Sequence, residues 1–359
     1  MIRRRDLLGA TAAALAGAAA CRARSVSAGE GAQRLPVGKL QEWEALCYGM
    51  FLHYGISTYD GKEWSDGKTP ASEYRPDKLD VDQWMQVARD AGMKYAVLTT
   101  KHVGGFCLWP SKYTDYSVAN SPVKTDVVGE FVKACDRRGV KPGFYYCSFD
   151  NHHTFGSVTV DHCGVPFDTV EQVHDIERSG KAFTTSTYQD FQRQQVTELL
   201  TSYGKIAEFW LDEPGVLGRG YRTYLYHHVT SLQPDCVVLA NGSYGDTEHW
   251  DPWYTWPQDI IGYEVPTETT MPAMRAHVRW RTVDGKRYYL PGEVYDLIGK
   301  HWFWMDGDQP RPDDKLAKLY RNSRGNGTNL LLDVPPDKHG RIPDLYVAAL
   351  QRLRQNVGI

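Results

Sequence analysis

Apolar positions in this chain follow two alternating patterns. Short, nearly continuous apolar and aromatic runs stand between stretches in which apolar residues recur at helical spacing. The runs are YGMFLHYG (48–55), YAVLTTKH (95–102), KPGFYYCSF (141–149), AEFWLDE (207–213), DCVVLANG (235–242), QDIIGYEV (258–265), RYYLPGEVYD (287–296) and TNLLLDVPP (328–336). Each is short enough for a strand, and four of the eight end at Gly, Asp or Pro. Between the first two, Asp80 predicts an N-cap for a helix with Val81, Trp84, Met85, Ala88 and Ala91 on one face, stopped by Gly92. Asp126 starts a second helix carrying Val128, Phe131, Val132 and Cys135 before Gly139. Further helical spacing runs through 186–203, 220–232, 313–323 and 343–356. Strands without polar alternation are buried on both faces, as in a parallel sheet wrapped by helices. So many β-then-α units predict a closed (β/α)8 barrel, with an open doubly wound sheet as the alternative.

The amino terminus departs from this alternation. MIRRRDLLGATAAALAGAAAC has a basic start, a small-residue apolar run and a small-residue approach to a cleavage site, the three-part shape of an export signal. Arg4-Arg5-Asp6-Leu7-Leu8 resembles a twin-arginine motif and Ala18-Ala19-Ala20-Cys21 a lipoprotein cleavage box. Residues 1–27 are therefore expected to direct export to the periplasm or cell envelope, with lipid attached at Cys21 or a plain cleaved signal. Ser-, Gly- and Arg-rich sequence continues into a linker over 28–44, and 45–359 is expected to be one catalytic barrel domain without a C-terminal β-sandwich.

Composition narrows the choice of function. In 359 residues the net charge is only −3 and the signs are mixed, which excludes the basic face that nucleic acid requires. Aromatic residues form 12% of the chain, with 11 Trp and 22 Tyr, enough to pack a core and still line a site that stacks on sugar faces. The seven cysteines contain no Cys-x-x-Cys pair, which disfavours a structural zinc site and leaves them as buried thiols.

In a parallel barrel the carboxyl ends of the strands converge on one mouth. Those positions hold His53, His102, Tyr145, Tyr146, Trp210, Asp212, Asn241 and Glu264. Two separated carboxylates among aromatic residues suit glycosidic-bond cleavage, one attacking the anomeric carbon and the other protonating the leaving oxygen. Taken singly, each has a plainer reading: Asp212 as a helix cap, the histidines as structural hydrogen-bonders, Trp210 as packing. A competing use of the mouth is metal-dependent hydrolysis, with His53, His102, His152 or His153 and Asp212 as ligands. A sugar-binding surface protein without catalysis is a third.

GMFLHYGIST, LTTKHVGGFCLWPSKYTDYSV, KPGFYYC, EFWLDE, YLPGEVYDLIGKHWFW and LYRNSRGNGTNLLLDVPPDKHGRI together resemble the α-L-fucosidases of glycoside hydrolase family 29, over residues 45–345. The resemblance implies a retaining exo-glycosidase that releases terminal α-L-fucose from fucosylated oligosaccharides or glycoconjugates, without metal or cofactor. It makes Asp212 the nucleophile and Glu264 the acid/base, with Glu268, Glu63 and Glu293 as alternatives. It assigns His53, Glu63, Trp64, His102, Tyr145, Tyr146 and Trp210 to the substrate. The family's KHHDGF reads KHVGGF here, with Val103 and Gly104 replacing a His and an Asp, and its Asn-x-Arg reads Asn241-Gly242-Ser243. These departures keep two alternatives in play, a retaining glycosidase for a related sugar and a non-catalytic protein that binds fucosylated glycans.

Overall fold

The computed structural model describes residues 29–153, 184–241, 252–264 and 276–359. Eight parallel strands form one sheet: β1 (Tyr48–Leu52), β2 (Tyr95–Lys101), β3 (Lys141–Cys147), β4 (Glu208–Asp212), β5 (Val237–Ala240), β6 (Ile261–Glu264), β7 (Gly292–Leu297) and β8 (Thr328–Asp333). Each pairs with the next from β1 to β5 and from β6 to β8, and β8 returns to β1 through Leu330↔Tyr48 to Asp333↔Phe51. The remaining seam, between β5 and β6, is joined by the single bridge Leu239↔Ile260. Side chains complete it. Asp259 accepts from the Val238 amide at 2.9 Å and Gln258 from the Ala240 amide at 3.2 Å, so the edge donors of β5 are satisfied without a full ladder. The result is the predicted barrel rather than an open sheet.

Helices α1 (Val37–Glu44), α2 (Val81–Asp90), α3 (Val127–Arg138), α4 (Ser186–Ser202), α5 (Gly218–Leu232), α6 (Asp313–Gly325) and α7 (Asp344–Val357) surround the strands. The caps read from the sequence form as expected: Asp80 accepts from the Gln83 amide and Asp126 from the Gly129 amide, and Gly139 closes α3 in the left-handed region. Part of the 28–44 stretch read as linker is structured. Over 37–44 it forms α1, whose Leu40 and Trp43 are buried, with Trp43 donating to Glu208 inside the barrel. The run RYYLPGEVYD also divides. Lys286–Tyr289 joins a small sheet with Trp280–Val283 and Gly29–Glu30, and β7 begins only after Pro291, which has no amide proton to give a ladder. The export segment, Cys163 and Glu268 lie outside the described residues. Cys47, Cys107, Cys135, Cys147 and Cys236 are free thiols.

Inside the barrel, small residues make room for large ones. A β-carbon on Gly49 would sit 2.6 Å from the Tyr95 ring, and one on Gly262 2.9 Å from Tyr295. Those glycines let two tyrosines cross the interior and reach polar partners.

Candidate active site

Alternation along β4 sends Glu208, Trp210 and Asp212 into the barrel and Phe209 and Leu211 toward the helices. Glu208 is deepest, Trp210 lies above it, and Asp212 reaches the mouth. There a cavity of about 310 Å³ is lined by His53, Glu63, Trp64, His102, Tyr145, Trp210, Asp212 and Glu264 from the sequence reading, together with Asn241 and several residues it did not single out. A larger cavity, about 460 Å³, opens at the opposite end between α1 and the amino ends of β3 to β5, and holds none of the predicted site residues.

Asp212 is the best-supported group in the pocket. Tyr145 Oη donates to its Oδ2 at 2.5 Å and Asn241 Nδ2 to its Oδ1 at 2.9 Å. Tyr295 Oη in turn donates to Asn241 Oδ1 at 2.5 Å, which fixes the amide with its NH₂ toward the carboxylate. Burial raises the Asp212 pKa from its ordinary value, and the bonds from Tyr145 and Asn241 oppose that rise by favouring the charged form. The next residue, Glu213, has φ 52° and ψ 46°, a left-handed conformation uncommon outside glycine, and it too lines the cavity.

Two further carboxyl groups face this one. Glu264, at the end of β6, is pushed up to about 8, first by burial and then by the charges of Asp212 and Glu63, while a bond from Asn241 opposes the shift. Glu63, on the loop after β1, is pushed up to about 7 by burial, with a bond to Trp64 opposing and Asp212 adding to the rise. Both acids thus hold a proton near neutrality beside an aspartate whose own rise is opposed by its hydrogen-bond donors, the kind of separation that acid and nucleophile chemistry needs.

The histidines form a neutral aromatic wall. His53 Nδ1 lies 2.8 Å from Asp333 Oδ1, and burial lowers the histidine and raises the aspartate well away from their ordinary values, so the pair is a neutral hydrogen bond. Burial drops His102 to about 3, its ring stacking on Tyr145 at 5.6 Å. Trp302 packs on His53 at 5.0 Å, and Trp210 on Tyr145 at 5.3 Å.

Two predicted residues fall elsewhere. Tyr146 is adjacent to Tyr145, so the pleat turns it outward, where its hydroxyl donates to Gln195 of α4 at 2.8 Å and its ring lies under Lys101; it does not line the mouth cavity. Glu293 points inward but below the pocket floor, accepting from Tyr95 at 2.6 Å and Trp210 at 3.2 Å, which removes it as an acid/base candidate. The metal set is not assembled either. His152 is bonded to the Gly67 carbonyl and His153 to Asp150 and Thr114, and among the described residues no three His, Cys, Asp or Glu side chains form a metal-sized group. Asp333, Tyr295, Lys300 and Trp302 were missed. Asp333 was detectable in principle, because it ends a strand (LLLDV) by the same rule that picked out Asp212.

A sequence profile described as alpha-L-fucosidase matches residues 23–357. The chain belongs to the alpha-L-fucosidase family. It is 32% identical to alpha-L-fucosidase 1 of Arabidopsis thaliana over 338 residues, covering 89% of this chain and 60% of that protein. Among solved structures, a glycoside hydrolase 29 family member from an unknown rumen bacterium superposes with a TM-score of 0.72 at 27% identity, over 90% of this chain and 57% of that one. Alpha-L-fucosidase isoenzyme 1 from Paenibacillus thiaminolyticus superposes with 0.67 at 27% identity, over 88% and 74%. The chain thus spans about three-fifths of the first curated relatives it matches, 60% and 57% of their lengths. Gly104, one of the positions singled out in the KHVGGF run, has a steric consequence. Gly104 packs on Ser65, where a β-carbon would meet Ser65 Cβ at 2.9 Å, so the loop carrying Glu63 and Trp64 occupies the space a side chain would need.

Proposed function

We propose that this chain hydrolyses terminal α-L-fucosyl linkages of glycans with retention of anomeric configuration. The observation that carries the reading is Asp212, held by bonds from Tyr145 and Asn241 that favour its charged form, in a pocket with two acids of raised pKa. Asp212 attacks the anomeric carbon as Glu264 gives its proton to the departing oxygen, leaving a covalent fucosyl-enzyme and a free alcohol. Glu264, now ionised, takes a proton from water, whose oxygen displaces Asp212 and restores both carboxyl groups. Charge on Asp212 raises Glu264 in the free enzyme. Once Asp212 is esterified that influence ends, the Glu264 pKa falls, and the same residue serves as base. His53, His102, Glu63 and Trp64 hold the sugar hydroxyls, Trp210 forms the floor, and the walls of Phe51, Leu297 and Trp302 receive the methyl carbon.

The test is hydrolysis of an aryl α-L-fucoside by wild type and Asp212→Gly, with and without azide. Turnover by wild type, loss of several orders of magnitude in the variant and recovery as β-fucosyl azide support the reading. An active Asp212→Gly without azide would overturn it. The leader sequence supports export to the periplasm or cell envelope with lipid at Cys21; palmitate labelling that survives Cys21→Ala would remove that attachment site.

A further inference from the structure

Among the described residues, Lys300 is the one lysine or arginine lining the mouth cavity, against four acidic residues, Glu63, Asp212, Glu213 and Glu264. Its position is built rather than loose. The Lys300 amide donates to Asp308 at 3.1 Å, and Arg311 donates to the Gly299 carbonyl at 3.1 Å while pairing with buried Asp296 at 2.6 Å. The turn is also closed to bulk, because a β-carbon on Gly299 would lie 2.5 Å from Asp308. From this fixed backbone an exposed side chain extends, and among the described residues its ammonium has no carboxylate partner.

Among the described residues Lys300 makes no ion pair with the acids of the pocket. The charges that shift Glu63 and Glu264 come from Asp212, from Glu63 and from Asp296, all deeper than the exposed lysine. A sugar seated against Trp210 and the buried histidines leaves the rim to whatever is attached to its anomeric oxygen. An unpaired cation there, on a braced turn over an acidic pocket, has the position and charge to meet an anion on that attached group.

We infer that Lys300 is a specificity residue for a carboxylate or sulfate on the residue to which the fucosyl unit is linked. This rests on the fucosidase reading of the pocket. A matched set of aryl α-L-fucosides bearing a ring carboxylate, a ring sulfate ester or a neutral carboxamide tests it. The readout is the ratio of kcat/KM for each anionic member to that of the carboxamide, in wild type and variants, so that leaving-group reactivity cancels. Lys300→Met is expected to lower the ratio about tenfold, Lys300→Arg to keep it, and Lys300→Glu to lower it further. Raising salt from 20 mM to 500 mM moves the wild-type ratio toward that of Lys300→Met, since an exposed pair is screened (Debye length roughly 20 Å falling to about 4 Å). A fall for the carboxylate alone or the sulfate alone identifies the anion. Ratios within twofold of wild type in Lys300→Met for both anions would overturn the inference. Failure of wild type to cleave any member would overturn the fucosidase reading instead; calorimetric binding of the anionic and neutral compounds to wild type and Lys300→Met then decides the role of Lys300.

Discussion

Four carboxyl groups line one pocket here, and what separates the roles of Asp212, Glu264 and Glu63 is the company each keeps. Burial raises Asp212 while Tyr145 and Asn241 oppose the rise, whereas Glu264 feels burial and the charges of Asp212, Glu63 and Asp296 and is held near 8. A nucleophile works ionised and a general acid works protonated. Activity is therefore expected to fall on the acid side as Asp212 takes a proton and on the alkaline side as pH rises through the acid's pKa, giving a bell-shaped kcat/KM profile. Glu264→Gln should abolish the alkaline limb and slow fucosides with poor leaving groups far more than dinitrophenyl fucoside, which departs without a proton. If Glu63→Gln did this and Glu264→Gln did not, the two acids would exchange roles. Tyr145→Phe removes a 2.5 Å bond to Asp212 Oδ2 that favours the carboxylate. A bond to a charged group contributes about 1.5–3 kcal/mol, so kcat/KM is expected to drop roughly 10- to 150-fold. The acid limb should also move to higher pH, and an unmoved limb would show that the tyrosine does not tune Asp212.

At the scale of elements, the Glu63 loop depends on a residue that never touches the cavity. Asn151 donates to the Ser65 carbonyl at 2.8 Å, Ser65 Oγ donates to Asp60 at 2.7 Å, and Gly104 closes the third side. Gly104→Ala is expected to push the loop outward and raise KM with a smaller change in kcat, because it displaces binding groups rather than Asp212. Adding Ser65→Gly removes the obstructing atoms, so the double variant should bind better than the two single effects predict; strict additivity would sink the contact. This dependence was invisible in the sequence, where KHVGGF reads only as the loss of a His and an Asp. The strands themselves were legible, since each is a short, largely apolar run, and so were the caps at Asp80 and Asp126. Tyr145 and Tyr146 were not separable, because facing is fixed by register and the sequence contains no outside mark for it. Glu293 misled for a related reason. It reads as a candidate among strand carboxylates, but it stands second in its strand and so lies well below the mouth.

Across the whole molecule, the pocket rests on a buried acidic floor. Glu208 and Glu293 are both fully buried, and Trp43, Tyr95 and Trp210 bond to them, the last lining the mouth cavity. Burial raises both, Glu293 to about 7 and Glu208 well above the usual carboxylate range, with the charge of Glu293 and a shared hydrogen bond adding to the latter. A buried carboxyl pair without a cation survives by keeping its protons. The folded-state pKa values lie above the unfolded value near 4.5, so the folded protein binds more protons than the unfolded chain over the interval between them. This contribution to stability is complete below about pH 4.5 and is lost as pH rises through the raised folded-state values, about 7 for Glu293, at no more than about 1.4 kcal/mol per pH unit for each proton. Glu208→Gln replaces one of these acids with an amide that keeps a donor for Glu293 and an acceptor for Trp43. Denaturant unfolding of both proteins from pH 4.5 to 8.5 should therefore show a shallower decline for the variant, with the two curves closest in acid and the variant gaining relative stability in alkali. Parallel curves would mean that Glu208 titrates alike in the folded and unfolded chains, and the shared proton would be removed from the account of how the floor holds Trp210 beneath the nucleophile.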